Sequence, residues 1–356
     1  SQSFVDQMEG FALELEDELM NFSDVSYKSF VKSESEIITL FYDKFADIPL
    51  LSRMDAVAET FIDEIETLLN RDLPEDERIP LIEKFRKMYE TMDFYVLYNR
   101  FLKKEGYQTL PRRPLEKRKL RYEDVYPVLY LKYRLSRQAE RSNIKHLVID
   151  EMQDYSRLQY LIIRRMFSCK MTILGDRAQT MADQQQDVLQ FLPGIFGKDL
   201  RRIEMRKSYR NTVEIASYAA NLIGVTDLEL FERHGIPVVE RDVTDLEAAL
   251  REAVDTLFPE EKTYETAAVI VPDEKTAERA YLILREILVE KDFDCEKRLS
   301  WLNRDSSSFK KGLTVTTFYL AKGLEFDQVF SIFPKDEKRE MMMQAQYIAA
   351  TRALHE

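Results

Sequence analysis

The chain has 356 residues, 45% of them hydrophobic and 33% charged, with a formal net charge of −12. That length supports two or three domains around a sizeable core, in the composition of an ordinary soluble globular protein. The net charge argues against coating nucleic acid by bulk attraction, no apolar run approaches the ~20 residues of a membrane helix, and the acidic start lacks a signal peptide's basic region, so the expected location is cytoplasmic with no membrane partner.

Charge is unevenly spread. Residues 1–27 carry seven acids and no Lys or Arg, whereas 111–145 hold eleven Lys/Arg against four acids. The plain reading of the basic stretch is a solvated helix face; the alternative is a nucleic-acid or polymerase contact. Cys169 and Cys295 are the only cysteines and sit in no paired motif, which suits reduced packing residues. His146, His234 and His355 are scattered, which gives no case for a structural zinc or a His-centred triad.

Residues 1–142 read as nearly all helix. Apolar residues recur at three- and four-residue spacing in Phe11, Leu15, Leu19 and Phe22, in Ile37, Phe41 and Phe45, and in Val57, Phe61, Ile65 and Leu68. Leu81, Phe85, Met88, Met92 and Tyr95 form a further stripe, after a proline-bounded break at 71–80. These are packing faces. A linker is expected at 109–119, then a helix with Asp124 as its cap and Pro127 in its first turn.

From Ile144 the texture changes to alternating strands and helices. The run His146–Ile149 stops at two carboxylates, Asp150 and Glu151; an amphipathic segment follows, then Met171–Leu174 ending at Gly175-Asp176. Strand, helix, strand is the crossover unit of a parallel sheet, whose chemistry lies beyond the carboxyl ends of its strands. A short helix and loop are expected at 182–200, and a helix from near Thr212. Beyond it come strands at Ala267–Val271, Leu313–Phe318 and Gln328–Phe333, and helices over Thr276–Leu288 and Ala345–Ala353.

Nucleotide hydrolysis needs one carboxylate for Mg²⁺ and a second group to orient or deprotonate water, and Asp150-Glu151 offers both; a helix-capping pair is the duller alternative. Gln179 is an uncharged group able to sense a γ-phosphate. Tyr209-Arg210 sets an aromatic that can stack on a base beside a cation that can neutralise phosphoryl charge. Lys322-Gly323-Leu324-Glu325 is a charged glycine turn between strands, and Arg352 lies on the last helix. The plainer roles are surface ion pair, core residue and helix-end cation.

In this order the stretches resemble the superfamily 1 helicases of the UvrD/Rep type, from Ile144 to the C-terminus. DEMQD (150–154) is similar to motif II, GDRAQ (175–179) to motif III and SYRN (208–211) to motif IV. TTFYLAKGLEFD (316–327) is similar to motif V and YIAATRA (347–353) to motif VI. Within that superfamily, DYSRLQY and FYLAKGLEFD look most like the HelD or helicase IV branch, associated with RNA polymerase. Motif V usually has a histidine where this chain has Tyr319, which weakens transfer of that histidine's role from strand-separating relatives.

The resemblance implies an α/β fold with two RecA-like, P-loop-NTPase-type parallel-sheet domains, the first incomplete, and a large N-terminal all-helical insertion. The implied divisions are a helical arm (1–142), the C-terminal part of domain 1A (143–198) and domain 2A (199–356), truncated at its end. It implies ATP and Mg²⁺ as cofactors, DNA as partner, and RNA polymerase as a further partner through the arm. By position, Asp150 would bind Mg²⁺, Glu151 activate water, and Gln179 couple the γ-phosphate to movement. Tyr209 would stack on adenine, Arg210 and Arg352 would be paired arginine fingers, and Gly323 and Glu325 would border the nucleotide, Glu325 at the ribose. Thr317 and Lys322 would face nucleic acid.

One motif is missing. The nine glycines fit no GxxxxGK[ST] pattern, and without that cradle a triphosphate has no firm seat. The expectation is a fragment, stopping within motif VI, whose cradle lies upstream of Ser1 and which is inactive by itself; the rival is a protein that lost the cradle. Function is therefore expected to be that of a motor ATPase on DNA or on DNA-bound RNA polymerase. The alternatives are a non-catalytic RNA polymerase- or nucleic-acid-binding module and a strand-separating repair helicase.

Overall fold

The computed structural model describes residues 2–137, 143–176, 188–205, 207–225, 229–257, 264–306, 311–334 and 339–356. The chain divides into two compact units, one of residues 1–175 and 186–200, the other of 176–185 and 201–356.

The first unit begins with helix α1 (Gln2–Glu18) and an antiparallel hairpin, β1 (Val25–Tyr27) and β2 (Phe30–Lys32), within a region expected to be nearly all helix. Helix α2 (Glu34–Thr39) starts at a capping box in which Ser33 and Glu36 satisfy each other's backbone N–H groups. Helices α3 (Arg53–Leu69), α4 (Glu75–Arg86), α5 (Phe94–Lys104) and α6 (Tyr122–Leu135) follow. The expected stripes bury Phe11, Leu15, Ile37, Phe41, Val57, Phe61 and Ile65 in one core. Each such side chain contributes about 1.5–3 kcal/mol of transfer free energy.

Four expectations are corrected. Leu68 is 71% exposed, because α3 ends one residue later and left-handed Asn70 turns the chain away. The stripe from Leu81 to Tyr95 is two helices: α4 ends at Arg86, and the Asp93 side chain caps α5 by accepting from Tyr95 N. The break at 71–80 is shorter than expected, since Glu75, Asp76 and Glu77 form the first turn of α4, where carboxylates favour the helix N-terminus. Likewise α6 starts at Tyr122. Pro127 therefore lies a turn deeper, and Asp124 is buried, accepting from the Tyr98 hydroxyl at 2.8 Å.

Strand β3 (His146–Ile149) pairs in parallel with β4 (Lys170–Ile173) across helix α7 (Arg157–Met166), and helix α8 (Val188–Phe196) follows. Helix α7 presents two faces. Leu158 and Ile162 join the helical core, while Tyr160 packs with Ile149, Val188 and Leu192. The helices before residue 137 and the β3–α7–β4 unit thus share packing rather than a hinge.

The second unit opens with β5 (Lys207–Ser208), helix α9 (Val213–Ile223) capped by Thr212, and β6 (Glu229–Leu230), parallel to β5. Then come α10 (Leu246–Leu257), β7 (Thr266–Val271), α11 (Glu274–Glu290), α12 (Cys295–Arg298), β8 (Leu299–Trp301), β9 (Gly312–Thr317), β10 (Gln328–Ser331) and α13 (Arg339–Ala350). The sheet order is β10-β7-β9-β8 and every pairing is parallel. Strand β7 is buried on both faces. Val269 and Val271 pack with Leu250 and Leu284, and Ala268 and Ile270 pack with Ala345 and Ile348. Two covered faces explain why its sequence is an unbroken apolar run.

The architecture is mixed α/β with parallel sheets. Cys169 and Cys295 are free thiols. Among the described residues, no helix is long and apolar enough to cross a membrane.

Candidate functional site

In the first unit the carboxylate pair lies where β3 ends. Asp150 is exposed, and its Oδ1 accepts the Glu151 backbone N–H at 2.8 Å. Among the described residues its other oxygen has no partner. Glu151 adopts φ 51° and ψ 50°, the left-handed region, and its carboxylate accepts from Gln153 Nε2 at 2.5 Å. A non-glycine residue held there stores about 1–3 kcal/mol of strain, a cost concentrated at functional turns. The turn is pinned from below: Leu174 N donates to Ile149 O and Met152 N donates to Leu174 O, each at 2.8 Å, and the buried Tyr160 hydroxyl donates to Met152 O at 3.1 Å.

Gly175 lies against this turn. A Cβ there would fall 2.4 Å from Met152 Cγ, 2.5 Å from Gln153 Oε1 and 2.7 Å from Met152 N. The glycine is needed for close approach between the ends of β3 and β4. Gln179, with Arg177 and Ala178 of the same motif, lies outside the described residues.

In the second unit three of the sequence-derived stretches converge. Helix α13 ends at Ala350, so Arg352 lies in the turn beyond it and not on the last helix as expected; that turn and the Lys322–Asp327 turn form a parallel bridge at Phe326 and Ala353, with Phe326 N donating to Arg352 O at 2.9 Å and Leu354 N to Phe326 O at 2.8 Å. Asn211, 7% exposed, clamps the turn after α13 by donating from Nδ2 to Ala353 O at 2.6 Å and Thr351 O at 3.3 Å. Arg233 adds a bond from its guanidinium to Leu354 O at 2.7 Å. Asp327 Oδ2 accepts from Thr266 N at 2.9 Å and Thr266 Oγ1 at 2.8 Å, fixing the turn to the start of β7.

On this frame Arg210 Nε meets Glu325 Oε1 at 2.7 Å, both side chains about half exposed. Tyr209 is 61% exposed, 5.6 Å from the Phe231 ring, with Lys207 Nζ 5.5 Å above it. An exposed ring beside a cation is able to take a planar ligand. Gly323 has φ 78° and open space where a Cβ would be, so the turn geometry, not crowding, requires the glycine. Lys322 is partly exposed.

Two residues sit deeper. Arg352 is 1% exposed, donating from Nε to Ile348 O at 3.2 Å and from its terminal nitrogens to Leu324 O at 3.5 Å and Thr351 Oγ1 at 3.1 Å. Thr317 is 1% exposed and its hydroxyl has no partner among the described residues.

Asn211, Arg233 and Asp327 were not singled out as functional by the sequence reading. Asn211 had a signal, since it completes the SYRN stretch; Arg233 lies in an irregular segment with none. Among the described residues, no three or more His, Cys, Asp or Glu side chains gather as a metal cage. Hydrated Mg²⁺ needs no such cage, taking one or two carboxylates plus waters and substrate phosphates, so the open oxygen of Asp150 fits it.

Residues 12–181 match the UvrD/REP helicase N-terminal domain. The matched stretch runs from within α1 through β3, the Asp150–Glu151 turn and β4. Among solved structures, the chain is similar to the C-terminal domain of a possible DNA helicase from Lactobacillus plantarum WCFS1. They share 25% identity over 42% of this chain and 83% of that one, at a TM-score of 0.31. No curated protein matches.

Proposed function

We propose that the chain belongs to an ATP-driven motor acting on DNA, with 143–198 and 199–356 contributing two RecA-like domains and 1–142 a helical arm. Glu151 carries the reading. A catalytic-type carboxylate is held in a strained backbone at a strand end, beside an open Asp150. Bound ATP with Mg²⁺ supplies the phosphoryl group and its charge-neutralising ion. Asp150 holds Mg²⁺, and Glu151 orients water and accepts its proton. Tyr209 stacks on adenine, Gly323 and Glu325 border the nucleotide with Glu325 at the ribose, and Gln179 senses the γ-phosphate. Arg210 meets a phosphate by giving up its pairing with Glu325, and Arg352 becomes a second finger on leaving the Ile348 and Leu324 carbonyls and the Thr351 hydroxyl. Thr317 and Lys322 serve the nucleic-acid side. Tyr319, in place of the usual histidine, supports the HelD-like branch, and with it remodelling of DNA-bound RNA polymerase over strand separation.

The phosphate cradle is supplied from outside these residues. Support comes from the missing GxxxxGK[ST] loop and from the β3–β4 pair, where Val148 is 60% and Leu174 45% exposed although parallel strands are ordinarily covered on both faces. By itself the chain turns over ATP slowly or not at all. The same missing loop favours the second reading, a binding module with degenerate motifs. One experiment separates them: in a longer chain carrying the loop, Glu151→Gln lowers steady-state ATP turnover by about 10²–10⁴ and leaves ATP binding in place. Unchanged turnover removes Glu151 from its role, and no turnover by the unsubstituted longer chain favours the binding module.

A further inference from the structure

The helical part of the first unit is electrically lopsided. Residues 1–100 hold 23 acids against 10 Lys/Arg, whereas 111–121 hold six Lys/Arg against one acid. The basic segment belongs to an irregular connection between α5 and α6 that is tied down along its length. Leu110 N donates to Asn99 Oδ1 at 2.7 Å, and the Tyr95 hydroxyl donates to Pro111 O at 2.7 Å. Arg118 Nε donates to Arg113 O at 3.0 Å, and its guanidinium pairs with Asp93 and covers the Tyr95 ring at 4.8 Å. Arg121 Nε meets the buried Asp124 at 2.6 Å.

Among the described residues, the ion pairs of this segment are those of Arg118 and Arg121. Arg112, Arg113, Lys117 and Lys119 are exposed and carry no such partner. Two cations therefore fasten the loop and four are presented outward from it. The loop encloses a cleft of about 320 Å³ whose apolar lining is Tyr95, Leu110 and Leu120 and whose cationic lining is Arg113, Lys119 and Arg121. Tyr122, adjoining it, is 81% exposed and stands edge-on to Tyr126 at 6.4 Å.

We propose that this loop binds a short single-stranded segment of nucleic acid, seating one unstacked base in the cleft and the flanking phosphates on Arg113 and Lys119. Cations tracking a backbone with an apolar or aromatic seat between them is the chemistry of single-strand binding. The acids elsewhere in the unit confine the contact to a few nucleotides and oppose a duplex, whose two strands would extend across them. The inference rests on the DNA-motor reading for the kind of strand. It assigns the helical part of the first unit a contact of its own, on residues other than the Thr317 and Lys322 stretch.

The test is fluorescence anisotropy of a labelled fifteen-nucleotide oligo-dT titrated with the intact 356-residue chain, without nucleotide, across a series of salt concentrations. Arg113→Ala and Lys119→Ala each weaken binding and reduce the slope of log K against log [salt] by about 0.7, the value for one lost single-strand phosphate contact. Arg113→Lys keeps the slope, and Lys87→Ala, an exposed lysine outside the segment, changes nothing. Binding that survives the double alanine variant but is lost on Lys322→Ala overturns the inference and leaves the motor reading standing. So does a preference for duplex, or capture of a poly-glutamate peptide in place of the oligonucleotide, which would assign the loop to an acidic protein. The motor reading itself stands or falls on ATP turnover, which this titration does not measure.

Discussion

Replacing Gly175 by alanine tests the geometry of the carboxylate turn without touching a charged group. The new Cβ would lie 2.4 Å from Met152 Cγ, which the flexible side chain can yield, and 2.7 Å from Met152 N, which is backbone. To restore ordinary contact the Met152–Gln153 turn must recede by about 0.7 Å. That retreat stretches the 2.8 Å bond from Met152 N to Leu174 O. Overpacking costs about 1–3 kcal/mol, and a weakened buried hydrogen bond adds about 1 kcal/mol. For a unit of this size each kcal/mol lowers the midpoint by about 2–4 °C, so Gly175→Ala melts the first unit roughly 5–15 °C early. Differential scanning calorimetry of the whole chain reads this directly, with the second unit as internal reference. A midpoint within the scatter of the unsubstituted chain would refute the close-approach argument.

Other outcomes follow from the second unit. Asn211→Ala leaves Ala353 O and Thr351 O without their shared donor, and the second unit loses about 2–3 kcal/mol in urea melts; unchanged midpoints would remove the clamp. The His234 side chain and the Gly235 backbone N–H hold the Glu214 carboxyl down at about 2. A depressed carboxyl stabilises the fold above its unfolded value, near 4.5, and that contribution disappears as pH falls towards 2. Thermal midpoints of the parent chain and Glu214→Gln should therefore differ at neutral pH and converge between about pH 4.5 and 2; parallel curves across that range would contradict the pairing. Arg352→Lys exchanges a buried guanidinium that donates to Ile348, Leu324 and Thr351 for an ammonium that cannot span the same acceptors, and destabilises the second unit by about 2–4 kcal/mol, again by urea melt.

What sequence could show depended on whether one residue's neighbours were near it in the chain. The stripes through Val57, Phe61 and Ile65 and the apolar run Ala267–Val271 revealed a helix face and a two-sided strand, because periodicity is local. Helix ends were harder. Asp93 looks like any acid until its side chain is seen capping Tyr95, and Leu68 fits its stripe yet falls past the last turn that faces the core. Motif order showed which polar residues belong together, but nothing in the letters shows that Arg210 is paired with Glu325 while Arg352 is shut inside. The first is a fact of packing between segments more than a hundred residues apart, and the second depends on a turn 28 residues upstream.

The Phe326–Ala353 bridge has a mechanical consequence. With Asn211 fastened to Thr351 and Ala353, and Asp327 fastened to Thr266, the loop after β9, the turn after α13 and the segment leading into α9 share one set of buried and half-buried bonds. None of the three can shift alone without breaking several of them. Arg210 and Glu325 are thus half-exposed side chains carried on a frame whose three segments can shift only together.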